Sequence, residues 1–313
     1  MDEEMVKLLL SYTIMAPSSH NTQPWKFRWP DKQIEVYADF DRWLTIADAD
    51  QRELFISAGC ALENLLITAR AFHYHCTTTY FPDSGDESLI AKVDLRKDAT
   101  LNDEESTTLF SSITSRRTYH HQYRSIDVGK PVQEHLQSLA YSPEVSLHFL
   151  DQEEQKRQIE ELIIQADNWQ FSDPAFRSEL GYWIGQSVFG TPWLISKMGQ
   201  WVVTNFNRGK QQSKKDTILV EHAPLLGILY TKTNTHEEQV KVGQAYERIN
   251  LGCTKLGIGL QPLSQPLEVP DIKSQLAPLL PHPKWFPQHL FRLGYTDRKQ
   301  KPTPRRPLEE FLL

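Results

Sequence analysis

Two adjacent arginines followed by a hydroxyl residue, Arg116-Arg117-Thr118, form the segment of this sequence best suited to bind an anion. A guanidinium group presents a planar fork of N–H donors that matches the oxygens of a phosphate, and a threonine hydroxyl adds one more donor. A second pair, Arg305-Arg306, lies between prolines near the C-terminus. Because adjacent arginines are also common on solvated surfaces, neither pair alone distinguishes a phosphate site from an exposed surface.

A polar loop, Pro17–Trp25 (PSSHNTQPW), is the second candidate for binding chemistry. It joins a helical pattern over Val6–Ile14 to a strand-like segment over Lys26–Trp29. A connection of this kind needs one glycine or proline and little else. The concentration of hydroxyl and amide groups in one short loop therefore indicates that it contacts a polar partner.

The composition argues against several other classes of function. The net charge is −6 at pH 7 and no long basic block occurs, so a nucleic-acid partner is not expected. Three cysteines cannot form a disulfide framework, and His73–Cys76 has no second ligand pair with zinc spacing, so no metal site is predicted. The acidic N-terminus and its short apolar run predict neither a signal peptide nor a membrane span, which favours a cytoplasmic protein without a membrane partner.

The sequence contains an internal repeat. With Gly59 aligned on Gly243, two helical segments both read Gly-x-Ala-x-Glu, and each is followed by a strand-like segment. Glycine inside a helix costs about 1 kcal/mol relative to alanine, so its recurrence predicts that the two helices approach each other closely. We interpret the pattern as a duplication; chance similarity between two amphipathic helices is the alternative.

The remaining patterns predict the fold class. Alternating segments such as Ile34–Tyr37, Ile90–Leu95, Val145–Leu150 and His289–Leu293 are typical of strands. The chain is therefore predicted to be α+β, with helices over mainly antiparallel sheets. Between about residues 169 and 213 the second half carries an aromatic-rich insertion that the first half lacks. Such an insertion is either an additional packing layer or a lid over a site.

Taken together, these motifs resemble the flavin-dependent nitroreductase superfamily. Its members combine an arginine-arginine-hydroxyl motif, a Pro-Ser-x-x-Asn-x-Gln-Pro-Trp loop and a closing basic pair, and they are usually homodimers with two FMN sites at the subunit interface. In this chain the first half carries the loop, whereas the second half carries Arg116-Arg117-Thr118 and Arg305-Arg306. Where the second half would need its own loop, it has only Leu139–Glu144.

This distribution is similar to the single-chain, two-lobed Acg-like branch of that superfamily. The resemblance implies a nitroreductase-like fold of two tandem lobes, residues 1–104 and 105–313, that form an intramolecular pseudo-dimer. It also implies a monomer with one complete FMN site, because the duplicated site has lost its loop.

The resemblance assigns roles to individual residues. The implied cofactor-binding residues are Arg116, Arg117, Thr118, His120, Arg305 and Arg306 in the second lobe, Pro17, Ser18, Ser19 and Asn21 in the first, and Leu263 or Ser264 after the second glycine-containing helix. Arg116, Thr118 and Arg306 would hold the phosphate, with Arg305 as a helper. Arg117 would lie along the ribityl chain, the loop residues would meet the ribityl chain and ring, and a backbone N–H of Leu263 or Ser264 would face flavin N5.

His120 departs from the family pattern, which has lysine or arginine two residues after the hydroxyl residue. A neutral imidazole stabilises the negative charge of a reduced flavin less well than a cation does, and histidine titrates near pH 6.5. We therefore expect reduced flavin to be less favoured, or pH-dependent, in this chain unless another cation substitutes.

The sequence thus predicts an FMN-dependent oxidoreductase that reduces an electron-poor small molecule, such as a nitroaromatic or a quinone. No Gly-x-Gly-x-x-Gly fingerprint occurs, so NAD(P)H would bind transiently over the flavin. No catalytic side chain is required, because the cofactor carries the redox chemistry. Two alternatives stay open: a non-catalytic protein that stores FMN beneath a closed lid, and a structural relative that no longer binds flavin.

Overall fold

Two four-stranded antiparallel sheets form the framework of the computed structural model, which describes residues 2–140 and 142–313. The strands are β1 (Trp25–Arg28), β2 (Gln33–Ala38), β3 (Tyr74–Tyr80) and β4 (Leu89–Lys97) in the first sheet, and β5 (Val145–Leu150), β6 (Leu225–Thr231), β7 (Ile258–Pro262) and β8 (Phe286–Tyr295) in the second. The strand orders are β1-β2-β4-β3 in the first sheet and β5-β6-β8-β7 in the second. In each sheet the last two strands along the chain are reversed in space, so the two sheets have the same topology. Each sheet also breaks register at the equivalent place, between Val36 and Tyr37 and between Leu229 and Tyr230.

Helices cover these sheets, which confirms the predicted α+β class and the two-lobe arrangement. They are α1 (Glu3–Thr13), α2 (Arg52–Ala71), α3 (Glu104–Phe110), α4 (Lys130–Leu139), α5 (Glu153–Ser172), α6 (Pro174–Gly185), α7 (Trp193–Asn205), α8 (Gly209–Glu221), α9 (His236–Lys255), α10 (Gln265–Glu268) and α11 (Pro270–Leu276). The sequence fixes their starts locally: the Asp2 carboxylate accepts a hydrogen bond from the Met5 N–H at 2.8 Å, and the Thr235 hydroxyl caps α9 in the same way. The boundary between lobes at residues 104 and 105 stays a prediction.

Helices α2 and α9 pack against each other at the centre of the molecule, as the repeat predicts. A Cβ on Gly59 would lie 2.1 Å from the Val240 carbonyl oxygen, and one on Gly243 would lie 2.0 Å from that of Ile56. Both glycines are therefore required by a close helix crossing, in which the two halves of the repeat meet each other. Helix α2 is long and apolar enough to span a membrane, but 89% of its most apolar stretch is buried inside the fold, as expected of a core helix.

The insertion is helical and longer than the sequence predicts. Helices α5 to α8 all lie between β5 and β6, where the first lobe has only the short turn between β1 and β2. Phe171, Phe176 and Trp183 of the insertion pack with Leu44 and Ala47 of the first lobe in a hydrophobic cluster of their own. The insertion therefore crosses from the second lobe to the first. Tyr141, within the Leu139–Glu144 segment considered above, lies outside the described residues.

Candidate functional site

A cavity of about 290 Å³ lies between the lobes and brings together nine of the twelve residues that the sequence singles out. These are Pro17, Ser18, Ser19, Asn21, Arg116, Thr118, His120, Ser264 and Arg305. The loop comes from the first lobe and the arginine motif from the second. The motif is held in place because Thr118 forms a parallel bridge with Leu260 of β7, and the Tyr119 N–H donates to the Leu260 carbonyl at 3.1 Å.

Arg116 carries a guanidinium that the protein leaves only partly bonded. Its side chain is 5% exposed, and its Nη2 donates to the Met15 carbonyl at 3.2 Å, yet Nε and Nη1 have no hydrogen-bond partner among the described residues. The nearest carboxylate is Glu247, whose Oε1 lies 3.6 Å from Nε. Burial raises the pKa of Glu247 to about 8 against the opposing effect of Arg116, so its carboxyl is mostly protonated at neutral pH. An anion in the cavity would therefore satisfy a buried cation that lacks a full partner.

The raised pKa of Glu247 predicts a measurable pH dependence of stability. A carboxyl whose pKa is higher in the folded than in the unfolded state binds more protons when folded, so the free energy of unfolding falls between about pH 4.5 and 8. Glu247→Gln removes this contribution, which has a slope of at most about 1.4 kcal/mol per pH unit. When unfolding in urea is measured at pH 5.5, 6.5 and 7.5, we expect the free energy of unfolding of Glu247→Gln to fall less steeply with pH than that of the parent. The exposed Glu309→Gln should show the same pH dependence as the parent. Equal slopes in all three proteins would contradict the assignment.

The polar loop is held in an unusual backbone conformation by its own side chains. His20, Asn21 and Gln23 have positive φ values of 48°, 53° and 54°, in the left-handed region that residues other than glycine adopt at a cost. The Ser18 hydroxyl accepts from the Gln23 N–H at 2.9 Å, and the Ser19 hydroxyl donates to Glu53 at 2.8 Å. These bonds compensate the backbone cost, so the loop is preorganised at the cavity wall.

Asn21 connects this loop to two distant segments. Its amide donates to the carbonyl of Val188 at 2.7 Å, in the insertion, and to that of Pro304 at 3.0 Å, near the C-terminus. Its side-chain oxygen accepts from Arg305 at 3.1 Å. Although Asn21 lines the cavity, its hydrogen-bonding groups already bind protein, which makes it a positioning residue in this arrangement.

The two C-terminal arginines point in different directions. Arg306 turns away from the cavity: its Nε donates to Glu310 at 2.9 Å, and its guanidinium stacks on Phe311. The structure therefore does not bring Arg306 to the cavity, and its role at the phosphate stays a prediction. Arg305 lines the cavity instead, and its nitrogens donate to the carbonyls of Ile14, Met15 and Ala16 at 2.8–2.9 Å and to side-chain oxygens of Asn21 and Thr303. Burial and the nearby Arg116 lower the pKa of Arg305 to about 9.

Arg305 is therefore expected to be a stabilising residue of the folded chain. Arg305→Met removes the donor to the carbonyls of Ile14 and Ala16 and leaves the Met15 carbonyl with Arg116 alone. We expect the free energy of unfolding of the ligand-free protein to fall by about 2–4 kcal/mol in urea. The neighbouring Arg306→Met removes a partly exposed pair with Glu310 and a stack on Phe311, and it should cost under about 1 kcal/mol. Equal losses in the two variants would show that Arg305 has no special structural role.

Two further residues that the sequence singles out, Arg117 and Leu263, already form hydrogen bonds with the protein outside the cavity. The Arg117 guanidinium folds back onto the carbonyls of Thr114 and Arg116, at 2.8 and 2.7 Å, and does not line the cavity. The N–H of Leu263 donates to the Leu290 carbonyl at 2.8 Å, and its side chain is buried in a separate hydrophobic cluster. Of the two residues predicted to face flavin N5, Ser264 alone lines the cavity.

Sequence reasoning missed several polar groups in the cavity wall. The Tyr246 hydroxyl, both ring nitrogens of His289 and Nδ1 of His20 are buried there without a hydrogen-bond partner in the described chain. Burial lowers the pKa of His20 and of His289 to about 4, so both rings are neutral at pH 7. Tyr246 and His289 lie in unremarkable sequence contexts, whereas His20 lies in the polar loop but was given no role. Only the folding of distant segments brings the three together. So many unpaired groups in one cavity indicate a polar ligand.

Comparison with known proteins supplies an independent finding. No family model matches the chain. A protein of Mycobacterium tuberculosis named "Putative NAD(P)H nitroreductase Rv3131" is 25% identical over 315 residues, which cover 99% of this chain and 90% of that protein. A second, "Putative NAD(P)H nitroreductase acg", is 22% identical over 98% of this chain and 95% of its own length. The solved structure of a "putative nitroreductase" from Anabaena variabilis shares the fold, with a TM-score of 0.55 and 10% identity over 90% of this chain and 82% of that one.

Over almost its whole length the chain is similar to proteins named as putative nitroreductases. Its similarity to the acg protein confirms the predicted resemblance to the Acg-like branch. The structure also shows the surroundings of His120, the residue that departs from the expected pattern. Desolvation and the charges of Lys215 and Arg292 lower the pKa of His120, so at neutral pH it brings no positive charge to the cavity. Lys215, on α8 of the insertion, lines the same cavity.

Proposed function

We propose that this chain binds one FMN in the cavity between its lobes and acts as an oxidoreductase on an electron-poor small molecule, with NAD(P)H as the electron donor. The observation that carries the proposal is the buried Arg116 guanidinium, with two unpaired nitrogens, in a cavity whose other wall is the polar loop. The names of the two mycobacterial relatives support the donor and the reaction class. Quinones and nitroaromatics are the acceptors we expect.

The residues of the cavity fit an elongated ligand with an anionic end. Arg116 and the Thr118 hydroxyl would hold the phosphate, since together they offer charge and hydrogen-bond donors to it. Pro17, Ser18 and Ser19 would contact the ribityl chain and ring from the first lobe. The volume of about 290 Å³ is at the lower end of the range for ligand pockets. When bound, FMN would supply the hydride or electron transfer.

The chain's own residues would orient and tune that chemistry. The Ser264 N–H lies at the start of α10 and is the candidate donor toward flavin N5. Lys215 would stabilise negative charge that develops on the ring, in place of the family cation at the His120 position. Phe189 and α8 of the insertion close one side of the cavity and would exclude water from it.

The charges in the repeat-related second cavity support the proposed stoichiometry of one FMN per chain. The repeat relates Cys60 and Glu247 of the candidate site to Gln244 and Glu63, which lie in a cavity on the other side of the α2–α9 pair. There Arg248 donates to Glu63 at 2.8 Å and to the Leu139 carbonyl at 3.0 Å, and it also pairs with Glu105. Arg248 is thus held by two carboxylates and a carbonyl, which makes it less suited to a phosphate than Arg116 with its two unpaired nitrogens. We infer a pseudo-dimer with one working site, and hence a monomer.

Anaerobic reduction tests the proposed reaction. FMN-loaded protein should lose its visible absorbance when NADH or NADPH is added, and recover it when a simple quinone follows. Flavin that binds but stays oxidised with both donors would favour the storage alternative. Failure to bind FMN would overturn the proposal as a whole.

A further inference from the structure

The outer surface of helix α7 is apolar. Its residues Trp193, Leu194, Ile195, Met198 and Trp201, which we call the α7 face, are 57–70% exposed. The face continues into the next segment, because the Trp201 ring meets the half-exposed Phe206 edge-on at 5.4 Å. Contiguous exposed apolar surface of this kind marks a contact with a partner or a membrane.

Helix α7 turns its polar side inward, the reverse of a surface helix in a globular protein. It packs on α6 at a Gly-x-x-x-Gly sequence: a Cβ on Gly181 would lie 2.3 Å from Thr204 Oγ1, and one on Gly185 would lie 2.1 Å from Gln200 Oε1. Ser196 is buried. Small residues and polar side chains at the contact, with apolar residues outside, are the arrangement of helices that pack in lipid.

The charge around this face is one-sided. Residues 180–215 contain Lys197, Arg208, Lys210, Lys214 and Lys215 but no aspartate or glutamate, in a chain whose net charge is −6. All except Lys197 are exposed. Exposed tryptophans with flanking basic residues are typical of segments that lie in the headgroup region of a bilayer, where anionic lipids attract lysine and arginine.

We propose that the α7 face docks on an anionic lipid bilayer, with its apolar side chains in the headgroup region and Lys210 and Lys214 of α8 against lipid phosphates. A helix of 13 residues, about 20 Å long, is too short to span the bilayer and would lie along its surface. A second copy of the chain is a poorer occupant, because a twofold contact would oppose the basic residues of each copy. The expectation of no membrane partner rested on the lack of a spanning or leader segment, which surface docking does not need.

Vesicle co-sedimentation tests this proposal. The protein should sediment with phosphatidylcholine vesicles that contain about one third phosphatidylglycerol, and far less with phosphatidylcholine alone. Leu194→Glu with Met198→Glu changes two residues that are about 70% exposed, so folding should persist while vesicle affinity falls at least tenfold. Lys210→Gln with Lys214→Gln should weaken binding to anionic vesicles only. The matched control, Ile126→Glu with Leu313→Glu, alters exposed apolar residues elsewhere and should bind as the parent does.

Three outcomes would overturn the proposal. The parent could fail to bind anionic vesicles, or the control could lose binding as fully as the α7 variant. Alternatively, sedimentation velocity could reveal a dimer that Leu194→Glu with Met198→Glu abolishes, which would identify a second copy as the occupant. FMN binding is measured separately, so this proposal and the proposed function can fail independently.

Discussion

Arg116→Ala should weaken FMN binding about 30-fold or more. The substitution removes a buried cation with two unpaired nitrogens in the cavity wall, and hydrogen bonds to charged groups contribute about 1.5–3 kcal/mol each. Arg116→Lys keeps the charge but loses the planar fork, so its affinity should lie between those of the parent and the alanine variant. Quenching of FMN fluorescence on titration with protein measures all three.

Arg117→Ala is the matched control, because it removes the adjacent arginine whose guanidinium binds only backbone carbonyls outside the cavity. Its FMN affinity should stay within about threefold of the parent's, a difference below 1 kcal/mol. An equal loss of FMN affinity in Arg116→Ala and Arg117→Ala would support the prediction that Arg117 lies along the ribityl chain. It would also remove the distinction between the two residues. Unchanged affinity in Arg116→Ala would exclude it from the phosphate site.

Gly59→Ala should strongly destabilise the fold. Its Cβ would lie 2.1 Å from the backbone oxygen of Val240. A backbone atom cannot move aside as the end of a flexible side chain can, so α2 and α9 must separate. Overpacking of this kind costs typically 1–3 kcal/mol, and we expect about 3 kcal/mol because the obstructing atom belongs to a helix backbone. Gly243→Ala should behave alike, since its Cβ meets the carbonyl of Ile56 at 2.0 Å.

Gly129→Ala provides the comparison for both helix variants. The nearest heavy atom to its added Cβ is Pro131 Cδ at 3.8 Å, an ordinary contact, so the free energy of unfolding should change by less than about 0.5 kcal/mol. Urea unfolding of the three ligand-free variants measures the difference. Stability close to the parent's in Gly59→Ala and Gly243→Ala would mean that the two helices do not cross at these glycines.

The features that could be predicted from the sequence are those that depend on residues close together in the chain. The helix crossing followed from two glycines in matching contexts, because glycine inside a helix needs a packing reason. The polar loop was identified by its composition, but its left-handed backbone was not, because only Asn21 of the three left-handed residues is of a type that favours this conformation. Strands and sheets followed from alternation, and the duplicated order of both sheets agrees with the repeat.

The direction of a side chain could not be predicted in the same way. Arg305 and Arg306 are adjacent, and only the position of α1, nearly 300 residues earlier in the chain, decides that Arg305 faces the cavity. One local signal was available: Glu310 follows Arg306 at the four-residue spacing of a helical ion pair, and the two residues do pair. Leu263 illustrates the same limit, because its N–H is occupied by a distant strand.

Cavity residues without a motif were missed for a related reason. Lys215, His289 and Tyr246 come from three separate elements, and no spacing in the sequence relates them. Their shared position depends on how the insertion folds over the lobes, which is tertiary information. The insertion itself was recognised by its aromatic content, but not the full span of its four helices.

The central claim of one FMN between the lobes is tested most directly by a titration of the purified, ligand-free protein with FMN. The change in the flavin spectrum should saturate at one FMN per chain, with the protein eluting as a monomer on a sizing column. Saturation at two FMN per chain, or no spectral change at all, would contradict the account.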